Sequence, residues 1–306
     1  MVTVMSSTPY NCLLAAALLA IPAASTALAQ QPLKVYISAD MEGVAGVVTG
    51  EQLGPSGFEY SRAREWMTEE VLAAIEGARA AGATEILVSD SHGNGQNLLI
   101  ERLPEGIMVI RGWPRPLMMM QGIDSTFDAA VFIGYHASTT SPVGVRAHTM
   151  SSANLAAVVL NGVAMPEAGI NAAIAGHFGV PIVMISGDDA AVAEAQRIIG
   201  DIEGAVVKRT ISFHSAVTMT PQAARALIRE KVQAGVARRG EIDAYVVETP
   251  ARVSVTFKNY RPAEILAYLP GIERIDAHSI RFTGRDIVEV SEFLEFIATY
   301  EPGLSP

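Results

Sequence analysis

The chain has 306 residues, 50% of them hydrophobic, 6% aromatic and 18% charged. That is too apolar for a disordered protein and long enough for one large α/β domain or two smaller ones. With 22 Lys and Arg against 32 Asp and Glu it carries a net charge of −10 and no basic stripe, which excludes nucleic acid as a partner.

The first charged residue is Lys34. Ahead of it, residues 12–21 form a short apolar core, and Ala27-Leu28-Ala29 supplies a small-x-small site before Gln30. This is the pattern of a secretory signal peptide over residues 1–29, although no Lys or Arg precedes the core. An uncleaved anchor or a misassigned start is the alternative. The apolar run is shorter than the ~20 residues a bilayer span needs, so no membrane association is expected after cleavage, and a secreted or periplasmic location is. Cys12 is the single cysteine and lies in this segment. Disulfides, thiolate metal sites and a cysteine nucleophile therefore drop out together. A tightly held metal must be bound by His, Asp and Glu, as suits a hard or borderline ion such as zinc.

Residues 33–38 are a short β-prone run. Residues 59–81 have helical spacing, with Trp66, Val71, Leu72 and Ile75 on one stripe and Gly82 as a stop. Strands follow at 85–89, 107–110 and 129–134, nearly continuous apolar runs as expected of strands covered on both faces. Leu155–Leu160, the turn Asn161-Gly162 and Val163–Ala164 predict a β-hairpin. A helix over Glu167–His177, a strand over 181–186 and a helix over 190–199 come next. Then follow a helix near 221–235, strands at 253–257 and 274–282, and a last helix over 286–300. The fold class is α/β: a mostly parallel sheet flanked by helices, with a smaller mixed α/β C-terminal layer or domain. A boundary near Gly204 divides residues 30–204, the metal-binding catalytic portion, from 205–306.

Three polar clusters follow three of the buried strands. Asp40 and Glu42 come after the first, in Ser38-Ala39-Asp40-Met41-Glu42-Gly43. His92 comes after the second, in Ser89-Asp90-Ser91-His92-Gly93, and His136 after the fourth, in Gly134-Tyr135-His136-Ala137. In an open α/β sheet ligands bind outside the carboxyl ends of the strands, so parallel strands bring two carboxylates and two imidazoles to one rim. Each residue alone has a plainer reading: the carboxylate as a cap or turn residue, the histidine as a satisfied structural one. Four of them at one topological position, with Asp40 and Glu42 two apart on one side of an extended segment, favour a metallohydrolase. In such a site two ions ~3.5–4 Å apart clamp a carbonyl oxygen and activate water.

The segment from Ser38 to Gly43 also resembles the SxDxEG signature of the zinc D-aminopeptidase family (DppA type). The resemblance continues in consistent order through Met67-Thr68-Glu69-Glu70, Asp90-Ser91-His92, Gln121-Gly122-Ile123-Asp124-Ser125-Thr126-Phe127 and Gly134-Tyr135-His136-Ala137. It goes on through Ala147-His148-Thr149-Met150, Pro166-Glu167-Ala168-Gly169-Ile170-Asn171 and Gly187-Asp188-Asp189, and more loosely at Phe257-Lys258-Asn259-Tyr260. It implies two zinc ions per chain, with Asp40, Glu42, His92, His136 and Glu167 matching the family's ligands, Asp40 as the bridge, and His148 matching the catalytic histidine. On the residues alone, Glu167 reads as an acid complementing a helix dipole and His148 as a surface histidine in a polar loop. Also implied are short D-amino-acid peptides as substrates and assembly into a ring-shaped homo-oligomer.

Other candidates stay open. Asp90 either orients His92 or serves as a turn acid, and Asn171 either bonds near Glu167 or faces a neighbouring helix. Asp188 and Asp189 read as caps of the following helix, and His177, His214 and His278 as structural. Met118-Met119-Met120 reads as core or interface packing. Glu69 and Glu70 are expected on a solvated helix face, with one kept open by the resemblance as a packing or interface residue. The expected function is a secreted metallo-aminopeptidase acting on D-Ala-type peptides. The alternatives are another two-metal hydrolase (an amidase, or a phosphoesterase with Arg146 as the only nearby phosphate holder) or a non-catalytic periplasmic metal- or peptide-binding protein.

Overall fold

The computed structural model describes residues 1–6, 8 and 32–300, so the apolar leader core and the expected cleavage site at Ala29 lie outside the described residues. β1 (Lys34–Ala39) leads through α1 (Tyr60–Ala80) to β2 (Glu85–Asp90) and the short β3 (Met108–Ile110), and the chain then returns to β4 (Ala129–Tyr135). A hairpin of β5 (Leu155–Leu160) and β6 (Val163–Ala164) precedes α2 (Glu167–His177), β7 (Ile182–Asp188), α3 (Asp189–Ile199), β8 (Glu203–Ser212) and β9 (Ser215–Thr218). The last third holds α4 (Pro221–Ala237), β10 (Ala251–Phe257), α5 (Tyr260–Leu266), β11 (Ile272–Arg274), β12 (Ser279–Gly284) and α6 (Ile287–Thr299).

The larger sheet has the order β3-β2-β1-β4-β7-β8-β9, parallel throughout except for β9 at its edge. Val35, Ile37 and Ala39 of β1 point into a core shared with α1 and α4. Tyr36 points into a second core, shared with α2, α3, α6 and the second sheet. Burial on both faces is why these strands read as unbroken apolar runs. In α1 the buried Ala63, Met67, Val71, Ala74 and Ala78 recur three or four residues apart, which commits that face to the sheet. The hairpin turn is set locally: Asn161 and Gly162 both take positive φ (46° and 86°), the requirement of the tight two-residue turn.

The second sheet, β11-β12-β10-β5-β6, is antiparallel. It draws its strands from both sides of Gly204, which itself sits inside β8 and pairs with Ile185 of β7. From Pro32 onward the described chain forms one compact unit. The strand expected over 274–282 is a hairpin instead: Asp276 Oδ1 accepts from His278 N at 2.7 Å and Ile275 N donates to Ser279 O at 2.9 Å, closing a turn between β11 and β12. β8 and β9 were not expected, because the run mixes buried Val207 and Lys208 with exposed Arg209, Ile211 and Ser212 and shows neither clean alternation nor an apolar block.

Candidate metal centre

β1 lies in the middle of the parallel sheet. The chain builds outward through β2 and β3, then places β4 on the other side of β1, so the strand order switches between β1 and β4. A crevice at the carboxyl ends of two such strands is where open α/β sheets hold ligands. Asp40 and Glu42 leave β1 at that point, His136 leaves β4, and His92 leaves β2 beside them. The loop after β1 is wedged against β4: Asp40 N donates to Ile133 O at 2.8 Å and Gly43 N to Gly134 O at 2.7 Å. A Cβ on residue 43 would collide with the Tyr135 carbonyl, so the approach requires glycine there. Ser38 holds the floor, accepting from Tyr135 Oη at 2.7 Å and lying 2.9 Å from Ser91 Oγ.

All six expected site residues converge. His92 Nδ1 lies 3.1 Å from Asp40 Oδ1 and 2.9 Å from Glu42 Oε2. His136 Nε2 lies 3.3 Å from Asp40 Oδ2 and 3.5 Å from Glu167 Oε2, and His148 Nε2 lies 3.9 Å from Glu167 Oε1. Asp40 thus faces one imidazole with each oxygen. Asp40, Glu42, His92, His136 and Glu167 are all buried. Glu167 is the first residue of α2, and its Oε1 also accepts from Met150 N at 2.6 Å, tying the helix to the loop that carries His148.

Each histidine commits its other ring nitrogen to a backbone carbonyl, which can only accept. His92 Nε2 donates to Leu53 O at 2.8 Å, His136 Nδ1 to Ala137 O at 3.1 Å and His148 Nδ1 to Arg146 O at 2.8 Å. In the neutral tautomers this fixes, the remaining lone pairs point at carboxylate oxygens, an arrangement that repels unless a proton or a cation lies between. Asp40 Oδ2, Glu42 Oε2 and His136 Nε2 are buried with no hydrogen-bond partner among the described residues. Two overlapping groups, Asp40/Glu42/His136 and His136/His148/Glu167, each have ligand atoms within 4.8 Å of one another. Imidazole nitrogens and carboxylate oxygens without sulfur fit a borderline divalent ion.

The electrostatics agree. Burial and the neighbouring Glu42 charge push Asp40 up. Burial would raise Glu42 too, but the His92 ring beside it holds it well below the usual carboxylate range. Burial works against protonation of His92 and His136, yet the Glu42 charge on His92 and the Glu167 charge on His136, each helped by Asp40, hold both rings well above the ordinary imidazole value. Glu167 is lowered against its own burial, chiefly by His136. A cation between these groups takes over the role of the protons.

The cluster opens into a cavity of about 280 Å³ walled by Trp113, Met118, Met119 and Met150, with no Arg or Lys among its described lining residues. The three consecutive methionines are buried, and the Met119 carbonyl also accepts from Tyr36 Oη at 3.1 Å.

Asp90 reaches neither ring nitrogen of His92; it accepts from Asn97 N (2.6 Å), Leu98 N (2.8 Å) and Asn97 Nδ2 (2.8 Å), fixing the loop after His92. Asn171 bonds Tyr135 Oη at 2.9 Å, not Glu167. Asp188 caps α3 through Ala191 N at 2.8 Å and also accepts from Val145 N at 2.7 Å, near His148. Asp189 is not a cap; it is the first residue of α3 and accepts from Thr210 N at 2.9 Å, linking α3 to β8. Arg146 lies over the Phe213 ring, 5.0 Å from its centroid. Glu69 pairs with Arg102 at 3.1 Å and with Arg225. Glu70 takes the packing role that the resemblance left open for one of the pair: it is buried, accepts from Ala45 N at 2.9 Å, and burial pushes it up to about 7.

The sequence reading missed Lys208. This buried residue of β8 donates from Nζ to the carbonyls of Glu42, Val44 and Val47, clamping the Glu42 loop from below. A lysine after the apolar Ala205-Val206-Val207 was the available signal.

Residues 33–296 match the family model described as D-aminopeptidase. The chain is 34% identical over 258 residues to the D-aminopeptidase of Bacillus subtilis (strain 168), covering 84% of this chain and 93% of that protein. It is also similar to the solved structure of the Zn-dependent D-aminopeptidase DppA from Bacillus subtilis, described as a self-compartmentalizing protease. The TM-score is 0.83 at 32% identity, covering 88% of this chain and 99% of that one. The match runs from β1, through every strand end that carries a site residue, into α6, and the chain is therefore a peptide hydrolase of the D-aminopeptidase family.

Proposed function

We propose that this enzyme is a zinc aminopeptidase that removes N-terminal D-residues, of the D-alanine type, from short peptides, using two zinc ions per chain. The observation that carries the two-ion reading is Asp40, whose Oδ1 faces His92 and whose Oδ2 faces His136. Glu42 and His92 would hold one ion with Asp40, and His136 and Glu167 the other. Bound zinc supplies Lewis acidity at the scissile carbonyl and lowers the pKa of the attacking water.

The chain's own groups do the rest. His148, anchored at Nδ1 by the Arg146 carbonyl, keeps its Nε2 lone pair available to take a proton from the attacking water and hand it on to the leaving amine. Trp113 and the methionines give the cavity apolar walls. The lack of Arg or Lys in the described lining favours a peptide over a phosphate ester. The D-configuration is supported by family membership. A homo-oligomer, in a ring, is supported by the description of the DppA neighbour as self-compartmentalizing. A secreted or periplasmic location rests on the leader pattern, and no helix among the described residues is long and apolar enough to cross a membrane.

The test is hydrolysis of D-Ala-D-Ala against L-Ala-L-Ala by the purified chain, with and without chelator, and a metal count on the same sample. Chelator-sensitive cleavage of the D-peptide with about two zinc ions per chain is expected. Bound metal with no cleavage of either peptide would overturn the reading in favour of a different two-metal hydrolase or a binding protein.

A further inference from the structure

We infer that Glu295, on α6, is the anchor for the free α-ammonium of the substrate, and so the residue that makes this site take peptides by their amino end. The inference rests on the aminopeptidase reading above and adds the group that recognises the terminus.

Four carboxylates line the cavity: Asp40, Glu42, Glu167 and Glu295. The first three face imidazoles and belong to the metal cluster. Glu295 does not. It is 6% exposed and lines the same cavity together with Ala298 and Thr299, three and four residues further along, so one face of α6 forms that part of the wall. Its Oε1 accepts from the backbone N of Arg115 at 3.0 Å. Its Oε2 makes no hydrogen bond among the described residues, and the residue is part of the cavity lining.

Among the described residues no cation forms a salt bridge with it. Arg115 bonds Glu295 through its main chain, and its guanidinium charge acts on Glu295 only from a distance. Its guanidinium is spent on Gly112 O, Ser89 Oγ and Asp90 O and lies over the Trp113 ring. Thr299 turns its hydroxyl back to the Glu295 carbonyl at 2.7 Å, so it adds no competing donor. A buried carboxylate without a paired cation is expensive, and burial pushes Glu295 up, against the lowering effect of the Arg115 amide and charge. A ligand ammonium would remove that cost. A cavity of about 280 Å³ is at the small end for ligand sites, suited to the end of a short peptide and not to the middle of a long one.

Glu295→Gln tests this directly, because the amide keeps an oxygen for Arg115 N and removes only the charge. Wild type and variant are compared on D-Ala-D-Ala and on propionyl-D-alanine, which has the same scissile bond and no ammonium. Zinc content and melting temperature are read on the same samples. The expected result is a KM for D-Ala-D-Ala raised at least about 10-fold at unchanged zinc content, with the propionyl peptide equally poor for both proteins. Glu295→Asp keeps the charge and is expected to keep the preference for the free-amine peptide, which covers the case where Glu295→Gln does not fold. A D-Ala-D-Ala KM within twofold of wild type in Glu295→Gln would overturn the inference while leaving the aminopeptidase reading intact. Loss of the free-amine preference in Glu295→Asp would also overturn it. Failure of the wild type to cleave D-Ala-D-Ala would refute both.

Discussion

His136 and His148 stack face to face, ring centroids 4.0 Å apart and planes 8° apart, with both Nε2 atoms turned toward Glu167. They differ in access: the His136 side chain is 1% exposed and that of His148 is 13%. A ligand suits the first environment and a proton carrier the second. His148→Ala is therefore expected to keep its full zinc content while kcat falls ~10²–10⁴-fold, the usual worth of a positioned acid or base. Metal analysis alongside single-turnover kinetics checks this. Loss of one zinc ion in the variant would instead make His148 a ligand, which its distance from Glu167 permits.

Metal loading should expel protons. Without a cation, His92 and His136 are held protonated by the carboxylates they face, well above the ordinary imidazole value. Zinc requires both rings neutral, so binding at pH 7 releases on the order of two protons, and apparent affinity rises with pH until the raised histidine pKa values are passed. Calorimetry in two buffers of different ionisation enthalpy measures the number. An affinity flat between about pH 6 and 8 would contradict it.

The parallel half of the fold was legible because its strands are buried on both faces and its helices carry one apolar stripe, patterns that survive in composition alone. Asp40, Glu42, His92 and His136 were legible by position, each just past a strand end. Glu167 and His148 were not. Both sit in segments whose local chemistry has a plain explanation, a helix start and a polar loop, and only long-range packing turns them inward. Spacing alone could not say which of Glu69 and Glu70 packs inward, since it does not reveal that the loop after β1 folds over α1 and presents the Ala45 amide to Glu70. The second sheet was only half visible, since its centre pairs β5 with β10, strands about a hundred residues apart.

Lys208 gives the Glu42 loop its shape. Lys208→Met preserves side-chain length and removes a buried charge, but leaves the carbonyls of Glu42, Val44 and Val47 without their donor. Relief of the buried charge offsets part of that loss, so the net destabilisation is expected on the order of 2 kcal/mol. Because Glu42 moves with its loop, zinc affinity should fall ~10–100-fold, as for other supports of metal ligands. Urea unfolding and zinc competition titration read the two effects separately. An unchanged midpoint together with unchanged affinity would show that the clamp does not matter.

Glu70 sets a pH dependence of stability away from the metal. Its carboxyl is pushed by burial from 4.5 to about 7, so between those values the folded chain binds a proton that the unfolded chain releases. Stability contributed by the protonated form is complete below about pH 4.5 and is lost as pH rises through about 7, by at most about 3 kcal/mol. Glu70→Gln keeps an oxygen for the Ala45 amide and cannot ionise, so that part of the slope should vanish. Urea unfolding of both proteins in chelator, at about pH 5 and about pH 8, isolates the effect, since metal ligands and all other groups are common to the pair. The variant should gain on the wild type between the two pH values. Parallel behaviour would mean that Glu70 is already ionised in the fold, with the Lys208 charge strong enough to outweigh its burial.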